Sequence, residues 1–322
     1  MHRSESAYFK IMLFLFGCLS LFAVNCKRNF KKIRQEETNR KTQEQRTKNV
    51  FKSFKGIKYT EVSRKFDNGL SFSPFGYQLE PQWQISFPSI DSVNIFSPKL
   101  SRFINAPVMF DHDSIFNIAW AWLKLEYINK DSIKFKVIHV DEDTIINEPV
   151  HVFMKFYSNN YIKELHTTAR NLRKPTVQDT LYIKTKTDVA NKILDSAFAG
   201  TTPVLIQSKS PSVRVQKETI TDDDINGATY DNYISPTYNI VIHHAYMDFS
   251  YSFLAYVDCK GHLTFWKSLT LLMPETRESI INTMKGITTG YLKYYLKIRP
   301  GSTLGIPHAS IVFLNVAGFK KK

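Results

Sequence analysis

The chain has 322 residues, a net charge of +14 and 14% aromatic residues. It contains no Gly-x-x-x-x-Gly-Lys-Ser/Thr, Gly-x-Gly-x-x-Gly, Gly-x-Ser-x-Gly or His-Glu-x-x-His segment, which excludes the nucleotide, hydrolase and metalloprotease sites that those motifs build. Only three cysteines are present, so a small disulfide scaffold is also excluded.

The first 26 residues have the three parts of an export signal: a basic start, an apolar centre and a processing region. The apolar run 11–24 has 14 residues, fewer than the ~20 that a membrane-spanning helix needs. Cys26 and Lys27 follow, and this junction resembles the signal peptides of Bacteroidetes-type lipoproteins. The resemblance implies that Cys26 receives diacylglycerol and becomes the new N-terminus. Cys18, which follows a glycine, is an alternative acceptor that would halve the apolar centre.

A lipidated Cys26 predicts attachment to a membrane of the bacterial cell envelope, on its periplasmic or surface face. If residues 11–24 are retained instead, they predict an inner-membrane signal anchor. The basic residues behind such an anchor favour the cytoplasmic side of the membrane. The two interpretations therefore predict opposite locations for the globular part.

Residues 27–58 are interpreted as a basic, flexible tether. They contain twelve Lys or Arg against three Glu, a net charge of +9 out of the +14 of the whole chain. A basic segment beside a membrane attracts anionic headgroups, with ~1 kcal/mol per basic residue. Since the remainder of the chain is close to neutral, no nucleic-acid partner is expected.

Residues 59–220 are predicted to form a β-rich domain, because aromatic and branched side chains suit a pleated, half-buried surface. Apolar and polar residues alternate in three segments, which predicts strands at 133–137, 150–156 and 181–186. Asp141-Glu142-Asp143 is interpreted as a hairpin connection.

The other segments of this domain have weaker patterns. Prolines between 66 and 110 indicate irregular or edge structure, and 117–128 fits either a strand or a short buried helix. A short helix is predicted at 188–198. The polar segment 208–230 is interpreted as the boundary before a C-terminal domain at 235–322.

The C-terminal domain has a clearer order of elements. Strands are predicted at 238–246, 250–257 and 263–267, with Asp258 to Gly261 as the turn between the last two. Pro274 and Glu275 open a predicted helix, since acidic residues favour its first turn. Its apolar face is predicted from residues spaced three and four apart: Ile280, Met284, Ile287, Tyr291 and Tyr295. Residues 309–319 form the predicted final strand.

This order resembles the TonB C-terminal domain over about residues 235–320. The matching segments are Val257-Asp258-Cys259-Lys260-Gly261, Pro300-Gly301-Ser302-Thr303-Leu304-Gly305-Ile306-Pro307 and the terminal Phe319. The expected fold class is therefore α+β and β-rich, with an antiparallel β-domain followed by a small β-β-α-β domain. The resemblance implies an interaction module that pairs an exposed strand with an extended peptide. By this analogy the final strand is the candidate edge, with Ile311, Phe313 and Asn315 as contact residues.

Few residues suggest chemistry, and no catalytic residue, cofactor or metal ligand is assigned. Asp111-His112-Asp113 has suitable residue types for acid–base or metal chemistry but is interpreted as a turn. His243 and His244 are neighbours in a predicted strand and so face opposite sides, which disfavours a shared metal. Cys259 is interpreted as incidental. Three tryptophans are expected in the core: Trp120, Trp122 and Trp266.

Three functions follow from these observations. The favoured one is a membrane-anchored, non-enzymatic binding or interaction module whose partner is a protein, a peptide or another envelope component. The first alternative is an envelope hydrolase that uses Asp111, His112 and Asp113. The second is an atypical TonB-like transducer anchored in the inner membrane.

Overall fold

A computed structural model describes residues 51–98, 100–111, 114–141, 144–146, 150–218 and 236–320, together with eight residues between 31 and 42. The predicted signal segment and the predicted lipid acceptor Cys26 lie outside these residues. Within them, no helix combines the length and the apolar character needed to cross a membrane.

The first half of the chain forms a closed, eight-stranded antiparallel barrel. Each of its strands pairs with the strand before and after it, and the final strand pairs with the first. A separate two-stranded hairpin, β8–β9, is inserted before the last barrel strand. The ten strands are β1 (Lys58–Phe66), β2 (Gln84–Ser86), β3 (Ser92–Ser97), β4 (Arg102–Phe110), β5 (Ile115–Ile118), β6 (Ala121–Ile128), β7 (Ser132–Val137), β8 (His139–Asp141), β9 (Thr144–Ile146) and β10 (Val152–Ser158).

Four sequence predictions for this region can now be judged. The predicted strands at 133–137 and 150–156 are confirmed as β7 and β10. The segment 117–128, which was ambiguous, contributes to the hairpin β5–β6. The prediction of irregular structure for 66–110 is wrong in part, because β2, β3 and β4 lie there. Pro107 is accommodated opposite Ser92 near one end of the β3–β4 pair.

Side chains fill the interior of the barrel. Alternate residues point inward, as the two-residue period of a strand requires, and they form one buried cluster: Tyr59, Ile85, Phe87, Val93, Ile95, Ala106, Val108, Phe116, Ile118, Leu123, Ile133, Phe135, Met154 and Phe156. Phe51 belongs to the same cluster and is only 1% exposed. Its ring centroid lies 4.4 Å from Phe87 and 4.9 Å from Phe116. The sequence analysis placed Phe51 in the tether, so the packed barrel begins earlier than the predicted start at residue 59.

Three short helices follow the barrel. They are α1 (Asn159–Glu164), α2 (Ala169–Leu172) and α3 (Val177–Ala190), followed by a 3₁₀ turn at Leu194–Ser196. The prediction of a strand at 181–186 is wrong, because α3 contains this segment. Most of the helix predicted at 188–198 is also wrong, since α3 ends at Ala190.

Two local features explain why α3 forms. Thr176 and Asp179 build a capping box, in which each side chain accepts a hydrogen bond from the other residue's backbone N–H. Ile183 and Ala190 are buried along one helical face. Asp179 also accepts the N–H of Ser71 at 2.7 Å, which ties the helix to the barrel. Burial alone would raise the pKa of Asp179, but its hydrogen bonds from Ser71 and Thr176 lower it overall.

The C-terminal half is built around a five-stranded sheet in the order β12-β13-β19-β14-β15. The pairs β11–β16 and β17–β18 form two smaller sheets. The strands are β11 (Leu205–Ser208), β12 (Val213–Lys217), β13 (Thr237–Ala245), β14 (Phe249–Val257), β15 (Leu263–Ser268), β16 (Leu296–Arg299), β17 (Ser302–Thr303), β18 (Ile306–Pro307) and β19 (Ser310–Lys320). Between β15 and β16 lie α4 (Arg277–Ile287), a π-helix (Thr288–Leu292) and α5 (Lys293–Tyr295).

The fold is thus β-rich α+β, as the sequence predicts. The strand–turn–strand–helix order of the C-terminal segment is also present, and Gly261 adopts the left-handed conformation (φ 85°) that the β14–β15 turn requires. The predicted boundary at 208–230 lies partly outside the described residues, which do not include 219–235. β12 pairs with β13, so part of this segment belongs to the C-terminal sheet.

The prediction that the final strand is a sheet edge is wrong. β19 pairs in parallel with β13 and antiparallel with β14, so hydrogen bonds engage both of its sides. The edges of this sheet are β12 and β15. Ile311, Phe313 and Asn315 alternate with fully buried neighbours and lie on the sheet face opposite the apolar core. Strand order depends on contacts between distant segments, which the local pattern of 309–319 does not reveal.

Candidate ligand-binding groove

A groove of about 490 Å³ lies along the helical segment of the C-terminal half. The residues that line it recur every three or four positions, so they share one face of the helix. The loop between β13 and β14 adds one wall through Tyr246. The lining consists of Tyr246, Thr283, Gly286, Ile287, Gly290, Tyr291, Tyr294 and Tyr295.

Two glycines make part of the groove surface. A Cβ atom built on Gly286 or on Gly290 would meet no heavy atom within 4 Å. Glycine costs about 0.5–1 kcal/mol relative to alanine within a helix. Alanine would therefore fit at both positions and would stabilise the helix. The presence of glycine instead indicates that the open space above these two residues has a function.

A π-helical turn interrupts the helix beside the groove. It spans Thr288–Leu292 and therefore includes both Gly290 and Tyr291. Such turns are rare and are frequently found at functional sites. Here the turn carries Leu292 into the core while Tyr291 and Tyr294 line the groove.

Four tyrosine rings form a continuous aromatic surface in the groove. The centroids of Tyr246 and Tyr291 are 6.2 Å apart with an interplanar angle of 17°. Tyr291 and Tyr295 are 6.1 Å apart at 22°, and Tyr294 meets Tyr295 edge-on at 4.9 Å and 89°. Tyr294 is 74% exposed and Tyr246 is 54% exposed. Two of the four rings are thus open to an incoming ligand.

The position of Tyr246 is fixed by the backbone around it. A bulge interrupts the β13–β19 pairing between His243 and Ala245, and His244 has a left-handed conformation with φ 62°. Immediately after the bulge, the N–H of Tyr246 donates to the hydroxyl oxygen of Tyr291 at 3.1 Å. This bond joins the two walls of the groove.

The remaining phenol groups are available for hydrogen bonding. The hydroxyls of Tyr246, Tyr294 and Tyr295 make no hydrogen bond with the part of the chain that the structure describes. Each can both donate and accept. The groove therefore combines apolar ring surfaces with three unused polar groups.

No lining residue of the groove carries a charge. Glu278 is the last acidic residue of the chain, and Lys285 and Lys293 lie on the same helical segment as the groove. Asp248 is near Tyr246 in sequence, but it accepts the N–H of Lys320 at 2.7 Å. The lining itself therefore supplies no charge that would attract a cationic ligand.

The sequence analysis did not identify this groove. It assigned Tyr291 and Tyr295 to the apolar face of a helix, and it did not consider Tyr294 or the glycines. The available signal was Gly286, Gly290 and Tyr294, which repeat at spacings of four residues. Tyr246 could not be linked to them, because it approaches the helix only through the tertiary fold.

The structure describes only some of the residues that suggested chemistry. Asp111 lies between β4 and β5, whereas His112 and Asp113 lie outside the described residues. His243 and His244 are both exposed near the end of β13, and Cys259 is in the β14–β15 turn. Among the described residues, no group of three or more His, Cys, Asp or Glu side chains is placed to hold a metal ion.

The tryptophan prediction is wrong for two residues. Trp120 is 67% exposed at the tip of the β5–β6 hairpin, where both Ala119 and Trp120 have positive φ angles of 49° and 66°. Trp266 is also exposed, and its ring packs on Tyr256 with the centroids 4.9 Å apart. Local hydrophobicity did not reveal that these residues occupy a turn and an edge strand.

A buried His–Thr pair outside the groove has a structural role. His308 is fully buried and stacks on Phe198 at 3.7 Å, and burial lowers its pKa to about 4. Its Nε2 lies 3.0 Å from the hydroxyl of Thr303, and its Nδ1 lies 3.0 Å from the carbonyl of Ala309. Because that carbonyl can only accept, Nδ1 carries the proton and Nε2 accepts from Thr303. Thr303 is fully buried, so no substrate reaches its hydroxyl.

A polar row crosses the sheet face on which Asn315 lies. Asn315 donates to Asn239 at 2.9 Å and accepts from Ser252 at 2.7 Å. The side-chain amide of Asn315 therefore joins β13, β19 and β14. These hydrogen bonds give Asn315 a role within the sheet.

Comparison with family models, with curated proteins and with solved structures gives no match for this chain. Function is therefore inferred from the geometry of the groove.

Proposed function

We propose that this chain is a membrane-anchored envelope protein that acts as a non-enzymatic binding module, with the tyrosine groove as its binding site. The single observation that carries the proposal is the joint occurrence of four tyrosines and two exposed helical glycines along one groove. Aromatic side chains with a few polar groups are typical of ligand sites. The lining has hydroxyls but no carboxylate, imidazole or thiol, which favours recognition over catalysis.

Anchoring is the second part of the proposal and depends on the N-terminal sequence. Cys26, followed by Lys27, is the proposed lipid acceptor, and the basic residues behind it would lie near anionic headgroups. Mass spectrometry of the mature N-terminus tests this part. A diacylated Cys26 is expected, and an intact Met1 would contradict lipid anchoring.

The resemblance to the TonB C-terminal domain supports an interaction module and remains a proposal. In its favour, the order β14, turn, β15, α4 and β19 follows the order of that family's elements. The strand that would pair with a partner peptide cannot be β19, however, because β19 is a central strand of the sheet. If the C-terminal sheet captures an extended peptide, β12 and β15 are the strands that can do so, since they form the two edges of the sheet among the described residues.

A photo-crosslinking experiment tests the binding site without assuming a class of ligand. Tyr294 is replaced by p-benzoylphenylalanine, which reacts with C–H bonds of any ligand within reach, and cells that naturally produce the chain are irradiated. The matched control carries the same group at Trp120, which has a similar exposure but lies on the barrel. An adduct formed at 294 and not at 120 supports the proposed function. No adduct at 294 contradicts it.

A further inference from the structure

We propose that the ligand of the tyrosine groove is an oligosaccharide chain. This inference deepens the proposed function and rests on it. It follows from the length of the groove, from the chemistry of its surface and from the ligands that this surface disfavours.

The groove suits an elongated ligand. Its lining runs from Thr283 to Tyr295, which corresponds to ~18 Å along a helix that rises about 1.5 Å per residue. Its volume of about 490 Å³ lies within the ~300–1,000 Å³ range of small-ligand sites. A short chain of linked rings therefore fits better than a single compact molecule.

The surface of the groove matches the two-sided character of a sugar ring. A pyranose presents C–H groups on its flat faces and hydroxyls around its rim. Gly286 and Gly290 leave room for such a ring to approach the helix, and the exposed ring of Tyr294 provides a surface for its C–H face. The hydroxyls of Tyr246 and Tyr295, which make no hydrogen bond to the described part of the chain, can donate to, or accept from, the sugar rim.

An extended or proline-rich peptide is a poorer match. Each peptide residue brings a C=O and, except for proline, an N–H that need partners. The helical backbone at Gly286 forms its hydrogen bonds within the helix and cannot pair with a peptide. Tyr291 also lies only 6.1–6.2 Å from the rings on either side, so these rings contact one another and leave no slot for a proline ring.

A quaternary ammonium ligand is also disfavoured. Aromatic cages attract cations through the negative faces of their rings. Here the helical segment carries Lys285 and Lys293, and the chain has no acidic residue after Glu278. The lining supplies no carboxylate that would offset the desolvation of a cation, whereas a neutral saccharide needs no such partner.

The test is a glycan array that is probed with the purified full-length protein. The oligosaccharide that binds best is then titrated. A proline-rich decapeptide and oligothymidylate are titrated in parallel. Tyr294→Ala should weaken saccharide binding roughly tenfold, because the exposed stacking surface is lost. Tyr294→Phe keeps the ring and should retain most of the affinity, whereas Trp120→Ala should leave it unchanged.

Each outcome separates this inference from the proposed function. Saccharide binding that depends on the ring at 294 supports both. Binding of the decapeptide or of oligothymidylate with the same dependence on residue 294 overturns the saccharide inference and leaves a binding groove in place. If the array retains nothing while Tyr294 crosslinks a ligand in cells, only the saccharide inference fails. If neither experiment detects a ligand, both fail.

Discussion

Replacing Gly286 by alanine should stabilise the protein and weaken ligand binding at the same time. The added Cβ meets no protein atom within 4 Å, so it introduces no clash. Alanine is favoured over glycine within a helix by about 0.5–1 kcal/mol. The same methyl group projects into the groove, where a ligand would have to approach the helix backbone.

The two effects have separate magnitudes. A gain of about 0.5–1 kcal/mol corresponds to a rise in Tm of roughly 1–4 °C for an unfolding unit of ~150–250 residues. A methyl group that intrudes on a close contact in a pocket changes affinity by ~1–3 kcal/mol, or roughly tenfold and more. Thermal unfolding followed by circular dichroism measures the first effect, and titration with the bound oligosaccharide measures the second.

Gly301→Ala is the matched control. Its Cβ would lie 2.5 Å from the hydroxyl oxygen of Ser310, away from the groove, so the free energy of unfolding should fall by about 1–3 kcal/mol. Ligand affinity should persist in the folded variant. For Gly286→Ala, a lower Tm would show that the space above the glycine is not open. An unchanged affinity would show that the ligand does not approach the helix there.

Three further predictions concern the fold. Phe51→Ala should lower the free energy of unfolding by about 3–5 kcal/mol in urea titrations, because it leaves a cavity in the barrel core; Phe75→Ala, at a side chain that is 68% exposed, should cost far less, and equal losses would contradict the placement of Phe51. The pKa of His308 falls from 6.5 to about 4 on folding, so the unfolded chain binds the proton more readily. Stability should therefore decrease by up to roughly 3 kcal/mol as the pH falls from about 6.5 to about 4, and His308→Asn should flatten this part of the pH profile. Asp179→Ala should cost about 3 kcal/mol in the same titrations, since it removes the carboxylate that accepts the N–H of Thr176 in the capping box of α3 and leaves the N–H of Ser71 without its acceptor; a loss below about 1 kcal/mol would contradict that role.

Local patterns in the sequence predicted much of the secondary structure. The alternation at 133–137 identified β7, and the turn at Asp258 to Gly261 identified the β14–β15 hairpin. The segment 181–186 was wrongly predicted as a strand, because its alternation covers fewer than two helical turns. Over so short a length, periods of two and 3.6 residues are hard to distinguish. The capping pair Thr176 and Asp179, just before it, was the stronger signal.

Local sequence patterns could not predict the strand order or the candidate site. The central position of β19 is set by its contacts with β13 and β14, which are distant in sequence. The groove likewise needs Tyr246, which a bulge places 6.2 Å from Tyr291. Only the helical part of the site, with Gly286, Gly290 and Tyr294 in one row, could have been found from spacing alone.

The most direct test of the account is an NMR titration of the tyrosine rings with the best-bound oligosaccharide. The chain contains 16 tyrosines, and selective labelling with assignment by Tyr→Phe variants gives each ring its own signal. The account predicts that saturable shifts are confined to the groove rings of Tyr246, Tyr291, Tyr294 and Tyr295. Shifts centred on other rings, such as Tyr127 or Tyr157 of the barrel, or no shifts at all, would contradict it.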